Sequence, residues 1–290
     1  MFNEILAGFY LMKKIPHLTS LFIVCLFFSI SLQAIAYEKL TFVVHPYKKA
    51  KQLQKMFKPL LNNLEKQLGN KIIFRTSTSY DKVIDLYKQG KADFGYLGPA
   101  GYVAAADSVV VKPMVRILSN GTGTFRGVIV VKKDSGIKSI KELKGGRFAF
   151  GDHTSTLSHF VPHYMLLQEN VSLDKLSKYA FTGKHDNVAK GVLLGLFDAG
   201  GLKPAVASKY LDKGLRILAT SESISEHLFV ASKSLDKSMQ DKIKKALLKT
   251  DLSALQSIKK NITGLELVND SDYDNLRKII KTVNKQKFHN

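Results

Sequence analysis

Three hydroxyl-bearing residues in a row, Thr154, Ser155 and Thr156, follow a short apolar run and a Gly-Asp pair in "RFAFGDHTSTLSHF". Hydroxyls at a helix start, beside backbone N–H groups that lack an intrahelical partner, make a cradle for an oxyanion. A capping role for Thr154 or Ser155 accounts for the same residues without a ligand. A second stretch, "DFGYLGPAGYVAAA" at 93–106, places Gly95, Gly98, Pro99 and Gly101 between an apolar run and an Ala-rich one, with Tyr96 offering a hydroxyl. Gly98-Pro99 turns the chain, and a backbone bare of side chains there also lets a ligand approach closely. Each turn alone has a plain structural explanation; two of them, one in each half of the chain, favour a shared site.

Other chemistry weighs less. His159 and His163 stand four apart, a zinc-compatible spacing on a helix, but no acidic or third imidazole ligand joins that pair at suitable spacing, so packing is the better reading and no metal is expected. Ser155, His185 and Asp186 supply the types of a hydrolytic triad without the order, spacing or G-x-S-x-G turn of a nucleophile elbow; no enzyme is expected, and Asp186 is read as the cap of a helix from Asn187. The lysines of "KKAKQLQKMFK" and "DKIKKALLKT" fit outward helix faces, which argues for solvated surface and against nucleic acid.

The elements that position the two turns are legible as an alternation of β-branched or aromatic runs with helix-period segments. "KLTFVVHP", "KIIFRTS" and "ADFGYLG" read as strands around helices closed by Gly69 and Gly90, an order that implies a parallel sheet covered by helices. After strand "MVRILSN" and the extended "GTFRGVIVVKKDSGI", the alternation resumes: helix "KSIKELKG", strand "RFAFGD", helix "FVPHYMLLQEN", strand "KYAFTG", helix "NVAKGVLLGLF", strand "DAGGL", helix "PAVASKYLDKG" and strand "LRILATS". "HLFVASKSL" then leads into helices near 236–259 and 271–286. Two α/β halves joined by extended crossings follow, and in such sheets ligands bind beyond the strand carboxyl ends, where both turns fall.

Of the 290 residues 45% are hydrophobic, enough for a sizeable core. "LMKKIPHLTSLFIVCLFFSISLQAIAYEK" has a charged start at Lys13 and Lys14, an apolar centre and a small-x-small site at Ala34-Ile35-Ala36, the pattern of a secretory leader cleaved after Ala36. Retention as an anchor and translation from Met12 instead of Met1 are alternatives. The one cysteine, Cys25, lies in that leader, so the mature chain has no thiol for disulfides, catalysis or metal. Loss of Lys13, Lys14 and Glu4 lowers the formal charge of +20 by only one, which suits an anionic partner, large or small.

"YLGPAGYV", "SGIKSIKELKGGRFAFGDHTSTLSHFVP", "FTGKHDNVAKGVLLGLFDAGGL" and "DSDYDNLRK" resemble the successive motifs of the phosphate, phosphite and phosphonate substrate-binding proteins of ABC transporters, over nearly the whole mature chain. The resemblance implies an α/β, two-lobed type II periplasmic binding fold, each lobe a mostly parallel sheet flanked by helices, joined by strand hinges. It implies a monomeric periplasmic receptor without cofactor that captures a small phosphorus oxyanion and delivers it to a membrane permease; a receptor for a membrane sensory system is the alternative. Matched motif to motif, the ligand groups are Tyr96, Ser155, Thr156 and His185. Leu157 stands where the family commonly continues its hydroxyl run, which leaves only its backbone N–H as a donor. Arg126 and Lys184 lie near the expected cleft. Where relatives that hold aminophosphonates place a carboxylate after the "DAGGL" strand, this chain has Lys203-Pro204-Ala205, which favours a plain oxyanion. The expected division is a leader over 1–36, one lobe from 37–122 plus 226–290, and the other from 123–225.

Overall fold

The computed structural model describes residues 39–108 and 110–286; the leader read at 1–36 lies outside them. Thirteen strands and nine α-helices occur among the described residues. The first strands are β1 (Lys39–Val44), β2 (Lys71–Thr76), β3 (Phe94–Leu97) and β4 (Val111–Ser119). They join β12 (Leu228–Ser232) and β13 (Ile262–Leu267) in a six-stranded sheet of order β13-β4-β12-β3-β1-β2. A five-stranded sheet, β10-β6-β9-β7-β8, is built from β6 (Val128–Lys132), β7 (Arg147–Phe150), β8 (Lys178–Phe181), β9 (Ala199–Leu202) and β10 (Leu215–Thr220). Between them β5 (Thr124–Phe125) pairs with β11 (Ile224–Ser225) in a two-stranded ribbon.

The expected alternation of strands and helices is present, and it gives parallel pairing in only part of each sheet. β2, β1 and β3 are mutually parallel, as are β8, β7 and β9. The pairs made by β4, β12, β13, β6 and β10 are antiparallel. The reason is topological. β4 leaves the larger sheet and β12 returns to it, while β6 enters and β10 leaves the smaller one, so the strands that carry the crossings run against their neighbours.

Helices α1 (Ala50–Leu68), α2 (Tyr80–Lys88) and α3 (Pro99–Asp107) follow β1, β2 and β3 in turn. α1 buries Leu53, Phe57, Leu60, Leu61 and Leu64, a stripe at helical spacing, and ends at Gly69 in the left-handed region. Phe57 and Phe94 pack on Phe42 with ring centroids 5.5 and 4.9 Å away; burying each such ring stabilises the fold by roughly 1.5–3 kcal/mol. The smaller sheet carries α4 (Val161–Gln168), α5 (His185–Leu193) and the short α6 (Pro204–Ala207). α7 (Lys237–Leu248), α8 (Leu252–Gln256) and α9 (Asp274–Asn284) complete the chain.

Three readings change. "KSIKELKG" forms only a single 3-10 turn, Ile140–Leu143, and "PAVASKYLDKG" is helical only over Pro204–Ala207. β13 emerges between the expected C-terminal helices. No helix of the described residues is long and apolar enough to cross a membrane.

Candidate functional site

The larger sheet contributes the turn after β3. Gly98 is the N-cap of α3 and Pro99 its first residue, a position where the missing N–H costs nothing. Tyr96, one strand position from the end of β3, is 3% exposed, and its ring stacks on His227 (5.5 Å, 14°) and His45 (6.0 Å, 17°). Burial, with the nearby Tyr47, Glu226 and Tyr273, pushes the Tyr96 hydroxyl well above its usual range, so it remains a protonated donor at neutral pH. Tyr47 and Tyr80 are raised likewise, chiefly by burial. His45 donates Nδ1–H to the Tyr96 carbonyl (3.2 Å); burial first, then His227, lowers its pKa to about 3 and keeps it neutral. A Cβ placed on Gly98 lies 3.5 Å from His227 Nε2 and 3.6 Å from His45 Nε2, so both imidazoles border this turn.

The smaller sheet contributes the turn after β7. Asp152 Oδ1 accepts from the Thr154 N–H (2.8 Å) and from the Thr154 hydroxyl, an Asx turn that commits Thr154 to structure. Ser155 Oγ accepts from the Ser158 N–H (3.2 Å), and the Phe160 N–H reaches back five residues to the Ser155 carbonyl (3.1 Å), opening a π-helical turn over Thr156–Phe160 before α4. Ser155 therefore does cap its helix, yet its hydroxyl hydrogen is still available to donate. The N–H groups of Thr156 and Leu157 head this turn, ahead of its first internal bonds. The turn is held at close quarters: a Cβ on Gly151 falls 2.2 Å from Ser158 Oγ, an oxygen that donates to the Gly201 carbonyl of β9 (2.7 Å). Leu157 is 4% exposed, and its side chain belongs to the apolar core.

One hydrogen bond joins the two turns. The Ala100 N–H, in the first turn of α3, donates to Thr156 Oγ1 (3.0 Å). His185 opens α5, and its Nδ1 accepts from the Lys203 N–H (3.2 Å), which places the proton on Nε2. Its pKa falls to about 3 through burial first and then Lys203; His227 pushes the same way and Asp186 opposes. Lys203 itself is lowered by desolvation and then by Lys259, Lys48 and Lys209, again opposed by Asp186. Positive charge from several elements thus converges here, the electrostatic requirement for holding an anion.

Asp186 is not the cap of α5. Lys184 occupies that position without a side-chain bond, and Asp186, in the first turn, accepts from the Tyr210 hydroxyl (3.3 Å). Two carboxylates, Asp152 and Asp186, therefore border the region, each already accepting a protein hydrogen bond. Arg126 is exposed in the first crossing, where Nη1 donates to the Ser221 carbonyl (3.0 Å) and ties the two crossings together. It stands apart from the bonds that link the Gly98 turn, the Ser155 turn and the start of α5. His159 and His163 are core residues. His159 Nδ1 meets the His153 carbonyl at 2.6 Å, and burial lowers their pKa values to about 4 and about 3.

His45, Tyr47, Tyr80 and His227 were not legible as site residues. Each is a single aromatic or imidazole with no motif around it; only their pairing across strands brings their rings within 4.8–5.8 Å of one another or of Tyr96.

Residues 42–273 match the family model described as the periplasmic substrate-binding protein of phosphonate ABC transporters. The phosphate-import protein PhnD of Mycolicibacterium smegmatis is 24% identical over 280 residues, covering 86% of this chain and 87% of that protein. A probable phosphite-binding protein, PhnD1, of Prochlorococcus marinus is 31% identical over 166 residues, 53% of this chain and 54% of that one. The fold is similar to the solved structure of Prochlorococcus marinus PhnD1 in complex with methylphosphonate, with a TM-score of 0.75 at 23% identity over 86% of this chain and 99% of that one. With sheets flanked by helices in the type II periplasmic binding arrangement, the chain belongs to the family of periplasmic substrate-binding proteins that serve phosphonate ABC transporters.

Proposed function

We propose that the chain captures a small phosphorus oxyanion (phosphate, phosphite or a short alkylphosphonate) between the Gly98 and Ser155 turns and hands it to a membrane permease. The observation that carries this reading is the Ala100–Thr156 bond, which unites a helix N-terminus from one sheet with a hydroxyl turn from the other. The hydroxyls of Tyr96, Ser155 and Thr156, the Leu157 N–H and His185 Nε2–H hold the anion, each charge-assisted bond contributing roughly 1.5–3 kcal/mol. Arg126 acts on the crossings and not on the ligand. One lobe comprises 37–122 plus 226–290 and the other 123–225, hinged at the β5–β11 ribbon; residues 1–36 act as the export leader, and the mature receptor works as a monomer. A ligand that touches both turns binds the closed form better and shifts the population toward it.

Asp152 and Asp186 already accept from Thr154 and from the Tyr210 hydroxyl, and the lysines gathered around Lys203 disfavour an ammonium tail. Thermal-shift titration of residues 37–290 against phosphate, phosphite, methylphosphonate, 2-aminoethylphosphonate and sulfate tests the reading. A phosphorus oxyanion should bind at least about tenfold tighter than the aminophosphonate, about 1.4 kcal/mol. No shift with any phosphorus anion, or preference for the aminophosphonate, refutes it.

A further inference from the structure

The last hydroxyl of "GDHTSTLS", on Ser158, is fully buried, so it cannot touch an anion held at the turn. Each of its polar groups nevertheless has a partner. The Ser158 N–H donates to Ser155 Oγ (3.2 Å), its carbonyl accepts from the Gly151 N–H (2.8 Å), and its hydroxyl donates to the Gly201 carbonyl of β9 (2.7 Å). One residue thus joins the end of β7, the capping hydroxyl and a neighbouring strand. The packing around it is close. A Cβ on Gly151 would fall 2.2 Å from Ser158 Oγ and 2.7 Å from Ser158 Cβ, and one on Gly201 would fall 2.3 Å from Pro162, so bare backbone at both positions lets the turn lie against the sheet. π-Helical turns are rare and frequent at functional sites; Ser158 stands in the middle of this one, Thr156–Phe160, and pins it.

The same bonds run on to His185. The Gly183 N–H, in the turn before α5, donates to the Gly151 carbonyl (3.1 Å), so Gly151 holds Ser158 on one side and the approach to α5 on the other. Beyond Gly201, at the end of β9, the Lys203 N–H donates to His185 Nδ1 (3.2 Å). Ser158 therefore reaches His185 by two routes, one through each glycine. It also sets what Ser155 offers. With a lone pair of Ser155 Oγ taken by the Ser158 N–H, the Ser155 hydrogen is directed away from that N–H and outward.

We propose that Ser158 is a positioning residue for oxyanion capture: without touching the ligand, it fixes the Ser155 hydroxyl and His185 Nε2–H at a spacing that one small anion can span. Its hydroxyl is the part that matters. Without it the Gly201 carbonyl loses a buried partner and the turn is free to move off β9, which takes the Ser155 hydroxyl out of line with His185. A hydrogen bond weakens steeply once its donor leaves that line.

The inference rests on the phosphorus-oxyanion reading, and its test separates the two. Calorimetry with methylphosphonate compares wild type, Ser158→Ala, Ser155→Ala and the double variant, with thermal melts to show that each is folded at the assay temperature. Ser158→Ala should weaken binding about fivefold or more. Because Ser158 acts through Ser155, the double variant should lose at least about threefold less than the product of the two single losses. Ser158→Cys, which keeps a weaker donor in place, should fall between wild type and Ser158→Ala, and it carries the same cycle if the alanine variant does not fold. A Ser158 that only supports the fold would lower Tm and leave the two losses multiplicative, or would change affinity less than about twofold. Either result overturns this inference and leaves the functional reading standing. Absence of wild-type binding to all of methylphosphonate, phosphate and phosphite overturns the reading beneath it.

Discussion

The Gly98 turn is bordered by rings and the Ser155 turn by hydroxyls, although both stand at a strand's carboxyl end before a helix. At Gly98 the neighbours are Tyr96, His45 and His227, stacked into a stiff wall whose shape is set by the core behind it. At Ser155 the neighbours are hydroxyls: those of Thr154 and Ser158 are committed to Asp152 and to the Gly201 carbonyl, which leaves the hydrogens of Ser155 and Thr156 to rotate toward an acceptor. A rigid wall excludes misfits, whereas rotating donors supply binding energy. With the anion held between the turns as proposed, selectivity would fall mainly to the first and affinity mainly to the second.

Removal of both donors of the second turn should have the largest effect. Ser155→Ala with Thr156→Val deletes two charge-assisted bonds, roughly 3–6 kcal/mol together, and should weaken methylphosphonate binding at least about 100-fold by calorimetry. A loss below tenfold would move the affinity onto the ring wall. Acid should act on both sides, since His45 belongs to the ring wall while His159 and His163 pack behind the hydroxyl turn. Each has a folded pKa of about 3 or about 4, below its unfolded value, so the folded state binds fewer protons; its stability is intact above about pH 6.5 and is lost as pH falls toward those values. At pH 5 each imidazole should cost about 2 kcal/mol. Thermal melts at pH 7.5 and 5 should show a clear fall in Tm, and equal melts would contradict neutral burial.

Gly98→Ala sharpens the comparison. Its Cβ makes ordinary contact with both imidazoles, so folding should be kept while the methyl fills space at the wall. Affinity should drop about tenfold, about 1.4 kcal/mol, and more for methylphosphonate than for phosphate; equal losses would deny the wall its role in selection. Arg126→Ala should do least, under threefold, because its guanidinium bonds the other crossing. A loss above tenfold would return Arg126 to the ligand.

Local chemistry was legible and long-range pairing was not. The hydroxyl run, the Gly-Pro turn and the stripe of α1 announce themselves within a few residues, and their elements form where that pattern places them. β13 was missed because "ITGLEL" carries a glycine and little alternation; its strand character comes from pairing with β4, about 150 residues away. The antiparallel halves were hidden for the same reason, since direction depends on which sheet a strand has just left. Glu226 has no motif around it in the sequence; its partners Ser119 and Lys259 become neighbours only on folding.

A crystal structure of residues 37–290 with methylphosphonate tests the central claim most directly. The account predicts the phosphorus between the two turns, its oxygens within hydrogen-bond distance of the Ser155 and Thr156 hydroxyls, the Leu157 N–H and the Tyr96 hydroxyl. A ligand bound elsewhere, or one that touches only one of the turns, would contradict it.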